Sequence, residues 1–237
     1  MGKSELILAL CLGFLGLCNA IESPQYTVVH SESDFEIRLY REAAWMSAPV
    51  KDISFVKATR LGFHRKIMGQ WKEFDWGLGF SSESELRLFQ YIQGANLNFS
   101  RIAMTAPVLT SIVPEAGPLH SSAYFVRLYL PVKFQASPPL PLPELNLKPF
   151  AWTGHCIAVR TFSGFARDWN IVKEAEKLSI SLSRSPWANS TSSGSSYAYS
   201  IAQYNSPFRI IGRVNEVWVD IEAPGLDGCI STGVASY

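Results

Sequence analysis

The sequence predicts an α+β protein of two similar halves, and three features lead to this prediction. Segments rich in β-branched and aromatic residues, which are typical of strands, fall into two groups along the chain. Two longer segments instead have apolar residues at the three- and four-residue spacing of a helix. A proline-rich segment at 137–143 separates the two groups. With 237 residues, 47% of them hydrophobic, the chain is long enough to bury a sizeable core.

Eight segments have the composition of strands. In the first half they are 26–31, 35–40, 43–48, 101–104 and 123–130, and in the second half they are 156–162, 197–204 and 217–221. Polar residues separate these segments, and Ser33 with Asp34 predicts a hairpin between the first two.

Two helices are predicted. The longer one covers 168–182, with Asp168 as its N-cap and Pro186 beyond its end. The other begins near Ile53 and runs to about Gly62. Proline fixes φ and has no N–H donor, so 137–143 belongs neither to a helix nor to the interior of a sheet. We interpret it as a stiff connector between the halves; the alternative is a polyproline recognition motif.

The two halves contain similar short segments in the same order. The first-half segments IRLY and TAPV resemble VRTF and NSPF in the second half. Within the first half, Arg38 of IRLY and Pro107 of TAPV are 69 residues apart. Within the second half, Arg160 of VRTF and Pro207 of NSPF are 47 residues apart. The first half is therefore 22 residues longer between these points.

The additional residues coincide with 66–87. Gly69, Gly77 and Gly79 would interrupt any helix there. Without this segment, the apolar residues on either side of it form one helical stripe. We therefore expect 66–87 to be an insertion in the first helix; an ordinary loop between two helices is the alternative.

Residues 1–20 have the pattern of a secretory signal peptide. Lys3 precedes a twelve-residue apolar segment, 6–17, which is too short to cross a bilayer. Small residues predict cleavage after Ala20, and the alternatives are an uncleaved anchor or a buried helix. No other segment is long and apolar enough for a membrane span. We expect a protein that is secreted or resides in the endomembrane lumen, with 21–237 as its single domain.

Two cysteines and two glycosylation sequons are consistent with a secreted or lumenal protein. Cys156 and Cys229 would remain after cleavage, and an oxidising compartment lets cysteines pair. The sequence does not give their separation in space, so a disulfide and two free thiols both remain open. Sequons occur at Asn189, within a serine-rich segment, and at Asn98.

The sequence contains no recognisable catalytic or metal-binding constellation. It lacks a G-x-S-x-G nucleophile motif. Its four histidines lack the spacing of a zinc site. The net charge of +1 argues against nucleic-acid binding that rests on bulk charge. We therefore expect a protein that is not an enzyme and does not bind nucleic acid.

Several short segments resemble the SOUL family of haem-binding proteins, in particular its secreted, plant-type members. They are YIQGAN at 91–96, IAMTAPV at 102–108, NEVW at 215–218, FEIRLY at 35–40 and VRTF at 159–162. The resemblance covers roughly residues 26–221. It implies a distorted antiparallel β-barrel flanked by two main helices, with a tetrapyrrole as ligand.

The resemblance also implies a ligand site along the first helix and its neighbouring loops. The residues there are Arg60, Phe63, His64, Leu88, Phe89 and Ile92. Arg60 matches a basic position of the family and would pair with a propionate, while the apolar residues would cover the ring. Some members carry an iron-ligating histidine where this chain has Leu39, which cannot ligate iron. His64 is the nearest replacement as a metal ligand; an ordinary surface histidine is the alternative.

The sequence thus predicts a monomer that binds haem or free porphyrin reversibly and without catalysis. In this interpretation the tetrapyrrole is a ligand rather than a catalytic cofactor. The alternative is a secreted interaction module, or a binder of other apolar small molecules, that has lost haem binding through Leu39 and the insertion at 66–87.

Overall fold

The computed structural model describes residues 21–52, 54–63, 87–113, 122–188, 190, 197–206, 209–222 and 229. These residues form one nine-stranded sheet and three α-helices, with 3₁₀-helices at Val132–Phe134 and Pro143–Leu145. The strands are β1 (Tyr26–Ser31), β2 (Glu36–Tyr40), β3 (Ala43–Asp52), β4 (Val108–Ile112), β5 (Ser122–Tyr129), β6 (Lys148–Trp152), β7 (His155–Ser163), β8 (Tyr199–Gln203) and β9 (Val214–Ile221). The helices are α1 (Phe55–Phe63), α2 (Arg87–Ile92) and α3 (Asp168–Ser183).

The sheet is antiparallel throughout and curled. Its strand order is β1-β2-β7-β9-β8-β4-β5-β3-β6, which leaves β1 and β6 as edges. Curling brings the edge residue Trp152 of β6 within 5.8 Å of the Tyr40 ring on β2 and 5.9 Å of the Trp218 ring on β9, measured between ring centroids. The α+β class is therefore confirmed. The sheet is a half-barrel in which a side chain of the edge strand β6 contacts side chains of β2 and β9.

The two faces of the sheet have different environments, as the two-residue period of a strand requires. On β9, for example, Val217 belongs to one hydrophobic cluster and Trp218 to another. The first cluster packs the sheet against the helices and includes Ile37, Val126, Val217, Leu88, Ile171 and Leu178. The second is mainly aromatic and includes Tyr40, Trp45, Tyr129, Trp152 and Trp218. We call these the helical face and the aromatic face.

Seven of the eight predicted strands lie wholly or largely within observed strands, and the strand predicted at 101–104 is wrong. That segment is a loop, which the Ile102 N–H attaches to the carbonyl oxygen of Ile92 at 2.9 Å. The sequence did not predict β4, whose centre carries the buried polar residues Thr110 and Ser111. It also did not predict β6, in which Pro149 is tolerated because an edge strand leaves some N–H groups unpaired.

Asp168 is placed differently from the prediction. Its carboxylate accepts hydrogen bonds from the Phe55 N–H at 2.6 Å and from the Ser54 hydroxyl at 2.9 Å, so it caps α1 rather than its own helix. The N-cap of α3 is Arg167. This non-local cap joins the N-termini of α1 and α3. None of the helices in the described ranges is long and apolar enough to cross a bilayer.

The predicted first helix corresponds to α1, and α2 follows in the chain at Arg87. The expected insertion at 66–87 lies outside the described residues except for Arg87 itself. The guanidinium of Arg87 donates to the carbonyl oxygen of Pro49 at 2.7 Å and to that of Asn146 at 3.4 Å. The first turn of α2 is thereby attached to β3 and to the chain beyond the second 3₁₀-helix.

The YIQGAN segment builds the turn after α2. Gly94 has φ +114°, a conformation that side chains rarely adopt. The Asn96 amide donates to the carbonyl oxygens of Tyr91 at 3.1 Å and Ser100 at 2.8 Å. The Tyr91 hydroxyl donates to the Pro139 carbonyl oxygen at 2.8 Å. The proline-rich connector is therefore attached to this turn by hydrogen bonds.

A disulfide joins β7 to the chain beyond β9. Cys156 and Cys229 are bonded, with Cα atoms 4.9 Å apart and a sequence separation of 73, and both are buried. Closing a loop of this length restricts the unfolded chain and stabilises the folded state by about 2–5 kcal/mol.

We predict that Cys156→Ala/Cys229→Ala lowers the free energy of unfolding by about 2–5 kcal/mol, because the unfolded chain regains its freedom. Urea unfolding followed by tryptophan fluorescence measures this loss. The control is the unsubstituted chain under reducing conditions, which should lose a similar amount. Equal stability of the reduced and oxidised chains, with thiol labelling confirming reduction, would contradict the prediction.

Candidate functional site

The structure separates the residues of the predicted ligand site into different environments. Leu88 and Ile92 of α2 are buried in the core of the helical face, whereas Phe89 is half-buried at its margin. Arg60 and Phe63 belong to α1, but their side chains are not described, and His64 lies outside the described residues. Only Phe89 is thus shown in a position where a ligand can reach it without opening the core.

Leu39 is half-buried on β2 opposite Cys156 of β7. It packs against the core of the helical face. Helix α1 packs elsewhere, with the Thr59 hydroxyl 3.2 Å from that of Thr110 on β4. The strand position at which the family resemblance implies an iron ligand is therefore apolar and packed here.

A second candidate region lies on the aromatic face, where Arg38 of β2 and Glu216 of β9 form a buried ion pair. The guanidinium Nη1 is 3.0 Å from Glu216 Oε1, and both side chains are nearly inaccessible. Arg38 also donates to Glu36 at 2.7 Å and stacks on the Tyr26 ring at 4.5 Å. One guanidinium is thereby bonded to two carboxylates and packed against an aromatic ring.

The second carboxylate oxygen of Glu216 is also satisfied. It accepts hydrogen bonds from the Tyr204 hydroxyl at 2.6 Å and from the Trp218 indole N–H at 2.8 Å. Burial opposes the charge on Arg38, but Glu216, followed by Tyr40 and Glu36, outweighs this and raises the pKa of the guanidinium. Burial and the neighbouring Glu216 raise the pKa of Tyr204. The cluster is therefore an ion pair whose carboxylate also accepts hydrogen bonds from the uncharged Tyr204 hydroxyl and Trp218 indole.

A small cleft of about 180 Å³ opens beside this ion pair. Its lining includes Tyr26, Tyr40, Tyr204, Val214 and Glu216. Pockets for drug-sized ligands are usually about 300–1,000 Å³, so the cleft suits at most a small molecule. With a carboxylate in its wall, it does not favour an anionic one.

Arg127 of β5 is a second buried cation on the aromatic face. Its guanidinium lies 4.3 Å from the Phe150 ring centroid and 4.5 Å from that of Tyr197. It donates to the hydroxyls of Ser111 and Tyr197, and burial lowers its pKa. Hydroxyl groups and aromatic rings therefore surround the Arg127 guanidinium. The described part of the chain has no cluster of His, Cys, Asp or Glu side chains that could bind a metal ion.

The Arg38–Glu216 pair was not predicted from the sequence, although its residues lie in segments that carry the family resemblance. FEIRLY supplies Arg38 and Tyr40, and NEVW supplies Glu216 and Trp218. The other resembling segments are likewise architectural, since the Thr105 hydroxyl donates to the Tyr129 carbonyl oxygen at 2.6 Å. The available signal was the family resemblance of these segments, and their residues match no catalytic or metal-binding motif.

We predict that Arg38→Met lowers the free energy of unfolding by about 3–5 kcal/mol, because it leaves the Glu216 carboxylate buried without its cation. The matched control is Lys177→Met, which removes a surface ion pair to Glu174 and should cost less than about 1 kcal/mol. Urea unfolding of both variants measures the difference. Equal losses would show that the buried pair does not hold the sheet together.

Comparison with known proteins identifies the family. A family model described as SOUL heme-binding protein matches residues 21–69 and 78–220. Heme-binding protein 2 of Homo sapiens is 29% identical over 204 residues, which is 84% of this chain and 86% of that protein. Heme-binding protein 1 of Xenopus laevis is 30% identical over 138 residues, which is 58% of this chain and 69% of that protein.

Among solved structures, a hydrolase from Listeria innocua is 10% identical with a TM-score of 0.48, covering 80% of this chain and 92% of that one. No functional conclusion follows from this likeness. The family model, in contrast, covers most of the chain and includes every strand that carries the buried networks described above. The chain belongs to the SOUL heme-binding protein family.

Proposed function

We propose that this protein binds haem or free porphyrin reversibly and without catalysis, as a carrier or buffer of the tetrapyrrole. The observation that carries the proposal is the family match over residues 21–69 and 78–220. The names of the human and Xenopus relatives, which refer to haem binding, support it. The tetrapyrrole is the cargo in this proposal. The alternative of an interaction module without haem affinity has no supporting observation of its own.

The site favoured for the macrocycle is the margin of α1 and α2. The cleft beside Glu216 is a poor candidate because its volume of about 180 Å³ is below that of ordinary ligand pockets, and its carboxylate would repel propionates. Val56 on α1 and Phe89 on α2 are both partly buried apolar residues at the margin of the core. Arg60 stands four residues after Val56 in the sequence of α1, and an arginine is by its chemistry a suitable partner for a propionate.

Apolar contact is proposed to supply most of the affinity. Tyr91, a possible iron ligand by its chemistry, is buried and uses its hydroxyl to bind the Pro139 carbonyl oxygen. Leucine at position 39 offers iron no donor atom. The protein is therefore expected to recognise the porphyrin ring and not the metal, so haemin and metal-free protoporphyrin IX should bind with similar affinity.

We predict saturable one-to-one binding of haemin and protoporphyrin IX, followed by the Soret band and by tryptophan quenching. Arg60→Ala should weaken both ligands about tenfold, because a propionate loses its charge-assisted hydrogen bond. The matched control is Arg184→Ala, an exposed arginine after α3, which should bind as the unsubstituted chain does.

Two results would contradict this proposal. Absence of binding by either ligand to a folded chain would reject the carrier function. Binding of haemin alone, lost in His64→Ala, would replace apolar recognition by axial ligation through His64.

We infer that 66–87 is an insertion in the first helix. The family match is interrupted at 70–77, within this segment. Deleting 66–87 would place Arg65 directly before Leu88, where Arg87 stands in this chain. The new arginine occupies the position that now donates to the Pro49 carbonyl oxygen.

We predict that the deletion variant folds with equal or greater stability, because one continuous helix replaces two short ones. Circular dichroism and urea unfolding test this, with the full chain as reference. Loss of the cooperative transition would show that 66–87 is part of the fold.

We also propose a secreted or lumenal, monomeric member of the family, of the plant type that the sequence resembles. The disulfide between Cys156 and Cys229 supports an oxidising compartment. Asn98 is exposed in the turn after α2, where a glycan has room, whereas Asn189 lies outside the described residues. Mass spectrometry of the product of a secreting cell tests signal cleavage after Ala20 and glycosylation; an intact N-terminus would reject this proposal.

We also propose that the chain consists of two structurally similar halves. From β3 to β5 the elements along the chain are a strand, a helical region and two further strands, and in the sheet these strands lie in the order β3-β5-β4. From β7 to β9 the elements follow the same pattern, and the strands lie in the order β7-β9-β8. This shared order supports two similar halves, although it relates β7 to β3 rather than to β2. Superposition of the two units in an experimental structure tests it, and strands that fail to superpose in this order would reject it.

A further inference from the structure

The turn between β8 and β9 and the first turns of α3 present apolar and basic side chains to solvent together. Ile210 and Ile211 are 75% and 84% exposed, and Trp169 of α3 is 65% exposed. Arg167, Lys173 and Arg209 are exposed alongside them. We call these six residues the basic–apolar surface.

The two elements that carry this surface are joined to each other. The Asn215 side-chain amide, at the start of β9, donates to the Gly164 carbonyl oxygen at 2.8 Å. The guanidinium of Arg213 lies 4.5 Å from the Phe165 ring centroid, just before α3. The β8–β9 turn and the N-terminus of α3 therefore form one continuous region.

The isoleucines stand on a turn that is internally fixed. The Arg213 guanidinium, which is buried, donates to the carbonyl oxygens of Ser206 at 2.8 Å and Arg209 at 2.7 Å. Arg209 Nε donates to the Ile211 carbonyl oxygen at 3.1 Å. Because these bonds already order the backbone, little further ordering is needed when Ile210 and Ile211 enter an apolar phase.

The charges of the surface are uncompensated within the described part of the chain. Arg167, Lys173 and Arg209 form no ion pair with a described carboxylate. Of the three carboxylates on α3, Asp168 is engaged with the N-terminus of α1 and Glu174 with Arg160 and Lys177. Glu176 is exposed three residues beyond Lys173, and this one carboxylate faces three cations. The basic–apolar surface therefore carries local positive charge, although the whole chain has a net charge of only +1.

We propose that the basic–apolar surface docks the protein on an anionic lipid bilayer. Two protruding isoleucines and a tryptophan suit the interface between headgroups and acyl chains, where such residues concentrate. Three unpaired cations beside them suit lipid phosphates and carboxylates. The positive charge of Arg167, Lys173 and Arg209 favours anionic lipid headgroups over neutral ones. The protein lies on the bilayer and does not cross it.

The test is co-sedimentation of the purified chain with vesicles of phosphatidylcholine containing about one third phosphatidylserine, at physiological salt. We expect binding that falls steeply as salt rises and is about tenfold or more weaker with phosphatidylcholine alone. Ile210→Ser/Ile211→Ser should reduce the affinity at least about tenfold, and Arg209→Ala about fivefold. Matched controls are Val132→Ser, an aliphatic residue 70% exposed on another part of the surface, and Arg184→Ala; both should stay within about twofold.

Three results would overturn the proposal. The first is absence of binding to the anionic vesicles by the folded chain. The second is equal loss of binding in the Ile210→Ser/Ile211→Ser variant and in the Val132→Ser control, with circular dichroism showing both folded. The third is a dimer in gel filtration that the isoleucine substitutions convert to a monomer, which would make the surface an interface between two copies. None of these results bears on tetrapyrrole binding in solution.

Discussion

The buried ion pair between Arg38 and Glu216 constrains the arrangement of the whole sheet. It spans β7, joining β2 on one side to β9 on the other. Side chains on a strand point alternately to its two faces. If β2 shifted by one residue against β7, the Arg38 guanidinium would enter the apolar core and Ile37 would leave that core. The free-energy penalty for an unpaired buried charge thus selects one register. With that register fixed, apolar residues of β2, β7 and β9 meet the helices, and tyrosines and tryptophans meet each other.

This arrangement determines where a large ligand can bind. The aromatic face is occupied by its own side chains, from Trp152 of the edge strand to Arg127 held among aromatic rings. A macrocycle would have to displace these contacts, whereas the margin of α1 and α2 leaves Phe89 partly open. Asp168 links this margin to α3, since its carboxylate caps α1. The proposed tetrapyrrole site and the proposed lipid-binding surface therefore adjoin the same helix junction.

The sequence predicted those elements whose signals are local. Aromatic and β-branched alternation identified β5 and β7, and the apolar stripe identified α3 to within one residue of its end. It missed β4, because Thr110 and Ser111 are buried polar residues that break the apolar pattern. It also missed partnerships between distant positions, such as Asp168 with Phe55 and Arg38 with Glu216, 178 residues apart. The site residues were predicted from family resemblance, which does not show that Leu88 and Ile92 are buried in the core.

The measurement that tests the account most directly is a map of backbone amide shifts in isotope-labelled protein titrated with diamagnetic protoporphyrin IX. The account predicts that the largest shifts fall on α1 and α2, around Phe55–Phe63 and Phe89. Amides of β2 and β9 beside Arg38 and Glu216 should change little. Shifts concentrated on β2 and β9 would contradict the account, because they would place the macrocycle at the buried ion pair instead of the helices.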